Sequence, residues 1–216
     1  MGNLPSNVMN TRIERLKVEL EKAGYKALIL NASPTLNYLT GLHFHLSERP
    51  ILAIFPLEGP MRIFLPELEQ AKLAKLPYEY KSYLYGEDPG TWAGIAGDAL
   101  ADLMEKGVQF GIDDRNIRML EMRLLYAARD NAAFENAGEI TAALRMEKDE
   151  TEIAAMQEAV VIAQTAFETL LGEIESGMTE KQIASMLVKN LFDAGSDPTL
   201  PFSPIVASGP MNSANP

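Results

Sequence analysis

The pattern of hydrophobic and polar residues between positions 10 and 30 predicts a helix followed by a buried strand. Apolar residues in the stretch 10–23 recur at steps of three and four, which is the spacing of an amphipathic helix, and Gly24 follows as a stop. The next stretch, 27–30, is continuously apolar and closes in a polar turn containing Pro34. A run of this kind is typical of a strand that is covered on both faces.

The same alternation continues downstream and predicts the fold class. Apolar runs at 51–55 and 61–65 flank a five-residue segment with a proline at each end, which is the layout of a hairpin. Helical patterns then cover 67–75, 91–106 and 117–129, and strand-like patterns cover 78–83, 108–113 and 133–135. Alternating helices and strands predict an α/β fold with a mixed sheet.

The pattern changes near residue 144, where we expect a domain boundary that divides the chain into residues 1–144 and 145–216. A charged run at 144–152 opens a long helix, and its acidic end suits the positive end of the helix dipole. One face of this helix carries an apolar stripe, which consists of Ile153, Met156, Val160, Ala163, Phe167 and Leu170. Such a stripe needs another layer to cover it.

A second helix is predicted directly after the first. Thr179 and Gln182 form a capping-box pattern, and Gly195 stands where a helix-ending glycine belongs. Prolines 198, 201 and 204 prevent further helix, and the apolar run 205–208 predicts a buried strand. The second region is therefore predicted to consist of two helices and one strand. We expect the rest of the sheet that covers these helices to lie outside the sequence.

Composition excludes several classes of function. Hydrophobic residues make up 47% and charged residues 23%, as in ordinary globular proteins. Acidic residues outnumber basic ones by 30 to 19, and this sign argues against nucleic-acid binding. The chain has no cysteine and no apolar run long enough to cross a membrane, so a cytoplasmic protein without membrane contact is the simplest interpretation.

His43 and His45 are the only histidines, and their spacing leaves two interpretations open. In an extended segment both point to one face, so a two-nitrogen metal site is geometrically feasible, although further ligands are then required. The simpler interpretation is a pair of loop or interface histidines, and their aromatic and charged neighbours also suit the wall of a binding pocket. For Asp113 and Asp114 a turn-capping role is favoured over a cation site, because adjacent carboxylates on a strand diverge.

The last segment contains another candidate binding element. Ser208-Gly-Pro210 and Asn212 place small and amide residues in a turn after the predicted strand, where a ligand can approach the backbone closely. The chain contains no nucleophile-elbow motif, no phosphate-binding loop motif and no dinucleotide fingerprint.

Three groups of residues together resemble the creatinase/prolidase family, which includes Xaa-Pro dipeptidases and aminopeptidases P. Tyr38-Leu-Thr-Gly41 with Glu48-Arg-Pro50 resembles the amino-terminal domain, and 145–153 resembles the Arg-x-x-Lys-x-x-x-Glu-Ile opening of the catalytic domain. Gly177-Met-Thr-Glu180 and the segment 202–216 resemble the run that leads to the active site. Met211 interrupts the commoner Gly-Pro-Asn spacing of that run.

The resemblance implies a small α/β domain joined to the start of a pita-bread catalytic domain, usually in a homodimer. It implies metal-assisted hydrolysis of the bond before proline in a peptide, with two Mn²⁺, Co²⁺ or Zn²⁺ ions bound by two Asp, one His and two Glu. Those ligands follow Pro216 in the family pattern, so none is expected within this chain, which is expected to be inactive alone.

The resemblance also assigns supporting roles and leaves alternatives. Phe202, Ile205 and Asn212 are expected near the substrate pocket, and His43 and His45 are expected to line it from the same or a neighbouring subunit. One alternative is a creatinase-like amidinohydrolase that works without metal. Another is a non-catalytic protein that uses the amino-terminal domain for binding or assembly.

Overall fold

The computed structural model describes residues 6–105, 107–128 and 132–209, which belong to two compact units. The first unit extends to Glu147 and the second begins at Lys148.

The described residues of the first unit form a six-stranded sheet and five α-helices. Its strands are β1 (Ala27–Leu30), β2 (Leu52–Pro56), β3 (Met61–Pro66), β4 (Tyr80–Tyr85), β5 (Gln109–Ile112) and β6 (Ala133–Asn136). Its helices are α1 (Ser6–Ala23), α2 (Pro34–Thr40), α3 (Pro89–Leu100), α4 (Met119–Ala128) and α5 (Gly138–Met146). Two 3-10 helices, Glu67–Lys75 and Ala101–Leu103, complete the described elements.

The sheet has the order β4-β3-β2-β1-β5-β6 and is mixed, as the alternation of patterns predicts. Strand β2 pairs antiparallel with both β1 and β3, and the remaining pairs are parallel. The β2–β3 pair confirms the predicted hairpin, with Leu52 opposite Phe64. The α/β fold with a mixed sheet is therefore confirmed.

The core of this unit lies on both faces of the sheet. In β1, Leu28 and Leu30 contribute to a cluster with helices α1, α2 and α5, whereas Ala27 and Ile29 contribute to a cluster with α3 and α4. All four residues have no exposed surface. Because both faces of this strand are buried, apolar residues occupy every position instead of every second one, and the run is continuous.

Two helices of the first unit were not predicted. Pro34 was interpreted as the end of a turn, but it occupies the first turn of α2, where a missing N–H has no consequence, and Ser33 caps the helix. Helix α5 was also missed, and the charged run after it does not open the next helix directly. That helix begins at Glu150, behind the cap Asp149.

The second unit contains helices α6 (Glu150–Glu173) and α7 (Glu180–Asp193) in its described part. Both start with capping boxes, and the predicted pair Thr179 and Gln182 is confirmed in α7. The helices bury Ala166, Leu170 and Asn190, and Asn190 Nδ2 donates to Glu173 Oε2 at 2.9 Å. None of the helices in the described ranges combines the length and apolar composition that a bilayer span requires.

Most of the apolar stripe on α6 is exposed. Ile153 is 56% exposed, Val160 57% and Phe167 53%, whereas Leu170 is 3% exposed because it belongs to the side that meets α7. The predicted stripe thus exists, but within the described chain only its last residue is covered.

The predicted strand at 205–208 is wrong for the described residues. No strand is formed there, and Phe202 and Ile205 are 71% and 67% exposed rather than buried. A strand requires hydrogen bonds to a neighbouring strand, and the described part of the second unit contains no strand to pair with it.

Candidate functional site

The candidate site of the first unit is the segment 41–50 between α2 and β2, here called the histidine loop. Gly41 begins it with φ 67°, a left-handed conformation that ends the helix and suits glycine. Leu42 and Phe44 are buried, and His43 and His45 are exposed between and beyond them. This alternation places both imidazoles on one side, as their spacing predicts.

The two imidazole rings lie close together with defined geometry. Their centroids are 5.5 Å apart and the rings are nearly perpendicular, at 84°. Asn37 Nδ2 lies 3.1 Å from His43 Nδ1. This contact ties the His43 ring to helix α2.

Side chains from neighbouring elements hold the first half of the loop. Lys72 Nζ donates to the carbonyl of His43 at 3.1 Å and lies 4.9 Å from the centre of the Phe44 ring. Thr40 Oγ1 accepts the amide of Leu42 at 3.0 Å. The backbone that carries His43 is therefore fixed on both sides of the residue.

An arginine and a buried glutamate hold the second half of the loop. Arg118 donates from a terminal nitrogen to the carbonyl of Ser47 at 2.7 Å. Glu121, which has no exposed surface, accepts from the backbone N–H of Arg118 and from its Nε, each at 3.0 Å, and also from its other terminal nitrogen. The hydrogen bond to Glu121 raises the pKa of Arg118 above its ordinary value, so the guanidinium stays charged.

Two further contacts fix the end of the loop. Arg49 binds the carboxylate of Glu87 through two nitrogens, at 3.0–3.2 Å, and this hydrogen bonding raises the pKa of Arg49 above its ordinary value. The hydroxyl of Tyr85 donates to the carbonyl of Pro50 at 2.7 Å, and burial raises the pKa of Tyr85. The loop thus has an ordered backbone that carries the exposed side chains of His43 and His45.

The chemistry available at the loop is that of two accessible imidazoles. An imidazole can donate to the carbonyl of a peptide group or to a carboxylate, and it can accept from a peptide N–H. Within residues 6–105, 107–128 and 132–209, no group of three or more His, Cys, Asp or Glu side chains is arranged to hold a metal ion. Among the described residues, no His, Cys, Asp or Glu side chain is therefore placed to act as a third ligand beside His43 and His45.

The remaining predicted site residues belong to the second unit. Phe202 and Ile205 are exposed there, and the backbone N–H of the neighbouring Ser208 donates to Glu180 Oε1 at 2.8 Å. Asn212 lies outside the described residues. The structure brings His43 and His45 together, and the pocket roles predicted for all five residues remain predictions.

A groove of about 260 Å³ occurs elsewhere in the first unit, between α1 and the β2–β3 hairpin. Ile13, Met61 and Tyr78 contribute its apolar surface, and Glu14 and Lys17 contribute charge. None of the five predicted site residues lines it.

Asp113 and Asp114 support the turn interpretation. Asp113 is buried and its Oδ2 accepts from Asn116 Nδ2 at 2.8 Å, while its carbonyl accepts the amides of Asn116 and Ile117. Asp114 is exposed. The pair therefore diverges, with one carboxylate holding the turn.

Arg118 and Glu121 were not identified from the sequence. A signal was present, because a glutamate three residues after a helix cap often accepts the N–H of that cap, as Glu121 does here. The long-range contact to Ser47, 71 residues away, has no local signal.

Comparisons with known proteins agree with the described fold. A family model described as the Creatinase/Prolidase N-terminal domain matches residues 12–147, and one described as Metallopeptidase family M24 matches residues 154–215. The first of these covers more than half of the chain.

Individual relatives are similar over nearly the whole chain. An Xaa-Pro dipeptidase from Lactobacillus helveticus is 28% identical over 208 residues, and one from Lactobacillus delbrueckii subsp. lactis is 24% identical over 208 residues. In both cases the match covers 94% of this chain and 55% of the relative. The chain therefore spans about half the length of the curated relatives it matches.

A solved structure shows the same fold. The crystal structure of recombinant prolidase from Thermococcus sibiricus matches with a TM-score of 0.86 and 24% identity, covering 99% of this chain and 56% of that chain. The arrangement of helices and sheet described above is thus that of the corresponding part of a prolidase structure.

Proposed function

Because the chain belongs to the creatinase/prolidase family, we propose that it is the amino-terminal portion of a metal-dependent Xaa-Pro peptidase that hydrolyses peptide bonds before proline. In this proposal residues 1–144 form the family's amino-terminal domain and residues 145–216 begin the pita-bread catalytic domain. The observation that carries the proposal is the pair of consecutive family matches, at 12–147 and 154–215, in the order found in dipeptidases.

The relatives support a dipeptidase over the other activities of the family. The two Lactobacillus proteins carry the name Xaa-Pro dipeptidase, and the match to each extends across both of the units described here. No feature of the described residues favours the amidinohydrolase or the purely binding alternative. A proline-containing dipeptide is therefore the proposed substrate class.

Metal dependence is proposed because the second family match is to a metallopeptidase family, and the described residues do not fit the metal site. They contain no cluster of three His, Cys, Asp or Glu side chains able to hold an ion. We therefore place two divalent ions, Mn²⁺, Co²⁺ or Zn²⁺, in the complete protein and derive no catalytic step through them. The 216-residue chain alone is proposed to be inactive.

The histidine loop is the element that we propose to contact substrate. His43 and His45 are exposed on an ordered backbone, so their rings present hydrogen-bonding nitrogens without a large loss of loop entropy on binding. Phe202, Ile205 and Asn212 are proposed to lie near the substrate pocket in a supporting role. Homodimerisation and a cytoplasmic location accompany the proposal as inferences from the family resemblance.

The test compares two proteins under one assay. The 216-residue chain, with its intact mass verified, and the full-length protein that contains it are each assayed for hydrolysis of an Xaa-Pro dipeptide with and without Mn²⁺. A dipeptide with alanine in place of proline serves as the control substrate. We expect Mn²⁺-dependent hydrolysis of the proline substrate by the full-length protein alone.

Other results contradict specific parts of the proposal. Activity of the full-length protein after exhaustive chelation contradicts metal dependence. Activity of the verified 216-residue chain contradicts the assignment of the catalytic groups to residues outside it. Equal rates on the two dipeptides contradict specificity for proline.

A further inference from the structure

We infer that Arg118 and Glu121 are positioning residues, which hold the histidine loop in the conformation that presents His43 and His45 to the substrate. The inference rests on the proposed function for its final step, because that step requires the loop to contact a peptide. Its earlier steps rest on the hydrogen bonds, burial and sequence separation of the residues involved.

The first step is that Glu121 fixes the orientation of the Arg118 side chain. Glu121 has no exposed surface and accepts from the backbone N–H, Nε and a terminal nitrogen of Arg118. A guanidinium is planar and rigid, so two contacts on one edge determine where its remaining nitrogen points. In this unit it points at the carbonyl of Ser47, at 2.7 Å.

The second step is that the Ser47 carbonyl controls the position of His45, whose ring contacts that of His43. Ser47 is two residues beyond His45, which is at most about 7 Å of extended backbone. Ser47 Oγ in turn accepts the amide of Arg49 at 3.1 Å, so the same residue also shapes the chain beyond it. Release of this carbonyl frees residues 45–48, which lie between the buried Phe44 and Arg49, whose side chain Glu87 holds.

The third step separates positioning from general stabilisation. The first unit contains another arginine with partners of this kind, Arg62, which is 4% exposed and donates to the Ala99 carbonyl at 3.0 Å and to Asp102. Its chemistry matches that of Arg118, with one carbonyl and one carboxylate as acceptors. Its partners lie in and directly after α3, away from the histidine loop, so Arg62 is a control built into the same unit.

The experiment uses the fact that the chain has only two histidines. The imidazole ¹H–¹³C NMR signals then belong to His43 and His45 alone and report on the loop directly. Arg118→Lys keeps the charge but loses the planar fork, and Glu121→Gln keeps the shape but loses the charge. Arg62→Lys is the matched control, and urea unfolding of all three shows how much stability each loses.

We expect the imidazole signal of His45 to shift in Arg118→Lys and Glu121→Gln, that of His43 to shift through its ring contact with His45, and both to stay at their original positions in Arg62→Lys. Amide exchange at Arg49 should accelerate by about tenfold in the first two variants, as expected for the loss of one ordering hydrogen bond. Should Glu121→Gln fail to fold, Arg118→Lys decides the question, because it leaves Glu121 with a cationic partner. Unchanged imidazole signals in folded Arg118→Lys overturn the inference.

The link to substrate is tested in the full-length protein. Arg118→Lys should raise KM for the Xaa-Pro dipeptide by about fivefold with little change in kcat, because a misplaced loop weakens binding of substrate and transition state alike. Shifted imidazole signals with an unchanged KM overturn the substrate step while leaving the peptidase assignment intact. Absence of peptidase activity in the unmodified full-length protein contradicts the proposed function instead, and the NMR comparison still decides whether the loop is positioned by Arg118.

Discussion

The two units contain equally clear helical patterns but bury their apolar residues to very different degrees. In the first unit the sheet lies between two helix layers, and strand residues such as Ile29 and Phe64 have no exposed surface. In the second, Ile153, Val160 and Phe167 stay more than half exposed. The difference shows that a periodic stripe predicts a helix, whereas burial of the stripe depends on a second layer being present.

The stabilising interactions differ accordingly. Each helix of the second unit begins with a capping box, in which a side chain at the cap and one three residues later exchange hydrogen bonds with the backbone. These are local interactions. The first unit depends on contacts between residues far apart in sequence, such as the hydrogen bond from Arg12 to the carbonyl of Tyr38 and that from Tyr38 to the carbonyl of Leu144.

The test with the largest expected effect replaces one phenylalanine in each unit by alanine. Phe110 has no exposed surface and stacks on Phe134, so Phe110→Ala should lower the free energy of unfolding by about 3–5 kcal/mol through lost burial and a cavity. Phe167 is 53% exposed, and Phe167→Ala should cost less than about 0.5 kcal/mol. Urea unfolding followed by tryptophan fluorescence reports on the first unit, because the single tryptophan, Trp92, lies in its core.

The second unit contains no tryptophan, so its unfolding is followed as the part of the circular dichroism change at 222 nm that does not coincide with the fluorescence transition of Trp92. A loss of several kcal/mol for Phe167→Ala would show that the stripe of α6 is covered in solution. That result would contradict the contrast between the units as described here.

How much could be predicted from the sequence depended on the range of the interactions. The hairpin, the mixed α/β sheet and the capping box at Thr179 follow from patterns within a few residues, and the structure confirms them. Helix α2 was missed because Pro34 suits both a turn and the first turn of a helix, and only its surroundings decide between them. The prediction of a strand at 205–208 was wrong because a strand forms only when a second segment pairs with it, and the local pattern describes one segment alone.

The candidate site divides in the same way. The shared direction of His43 and His45 follows from the alternation of residues along the chain, and the ring separation of 5.5 Å agrees with it. The anchors of the loop could not be predicted, because Arg118 reaches Ser47 across 71 residues and Tyr85 reaches Pro50 across 35. Contacts of that range are set by the order of strands in the sheet.

A second test inserts a methyl group at one glycine of each unit and expects opposite signs. A Cβ at Gly111, in β5, would lie 2.8 Å from Ala137 Cβ and 2.9 Å from the ring of Tyr25, so Gly111→Ala should destabilise the first unit by about 1–3 kcal/mol. A Cβ at Gly172, in α6, meets nothing within 4 Å. Gly172→Ala should therefore stabilise the second unit by about 0.5 kcal/mol through the lower backbone entropy of the unfolded chain. The same two optical probes measure both changes, and destabilisation by Gly172→Ala would reveal a neighbour packed against this part of α6.

The test with the smallest expected effect examines the local interactions on which the second unit depends. Thr179 Oγ1 accepts the amide of Gln182 at 3.3 Å, and the Gln182 side chain accepts the amide of Thr179 at 2.9 Å. Thr179→Ala removes one side of this exchange and should cost about 1 kcal/mol, seen as a lower midpoint of the 222 nm transition. Thr169→Ala is the matched control, since Thr169 is exposed inside α6, where alanine is the better helix former, and it should raise that midpoint slightly. If both substitutions have the same effect, capping does not govern the stability of these helices, and the distinction between a locally stabilised unit and a core-stabilised one fails.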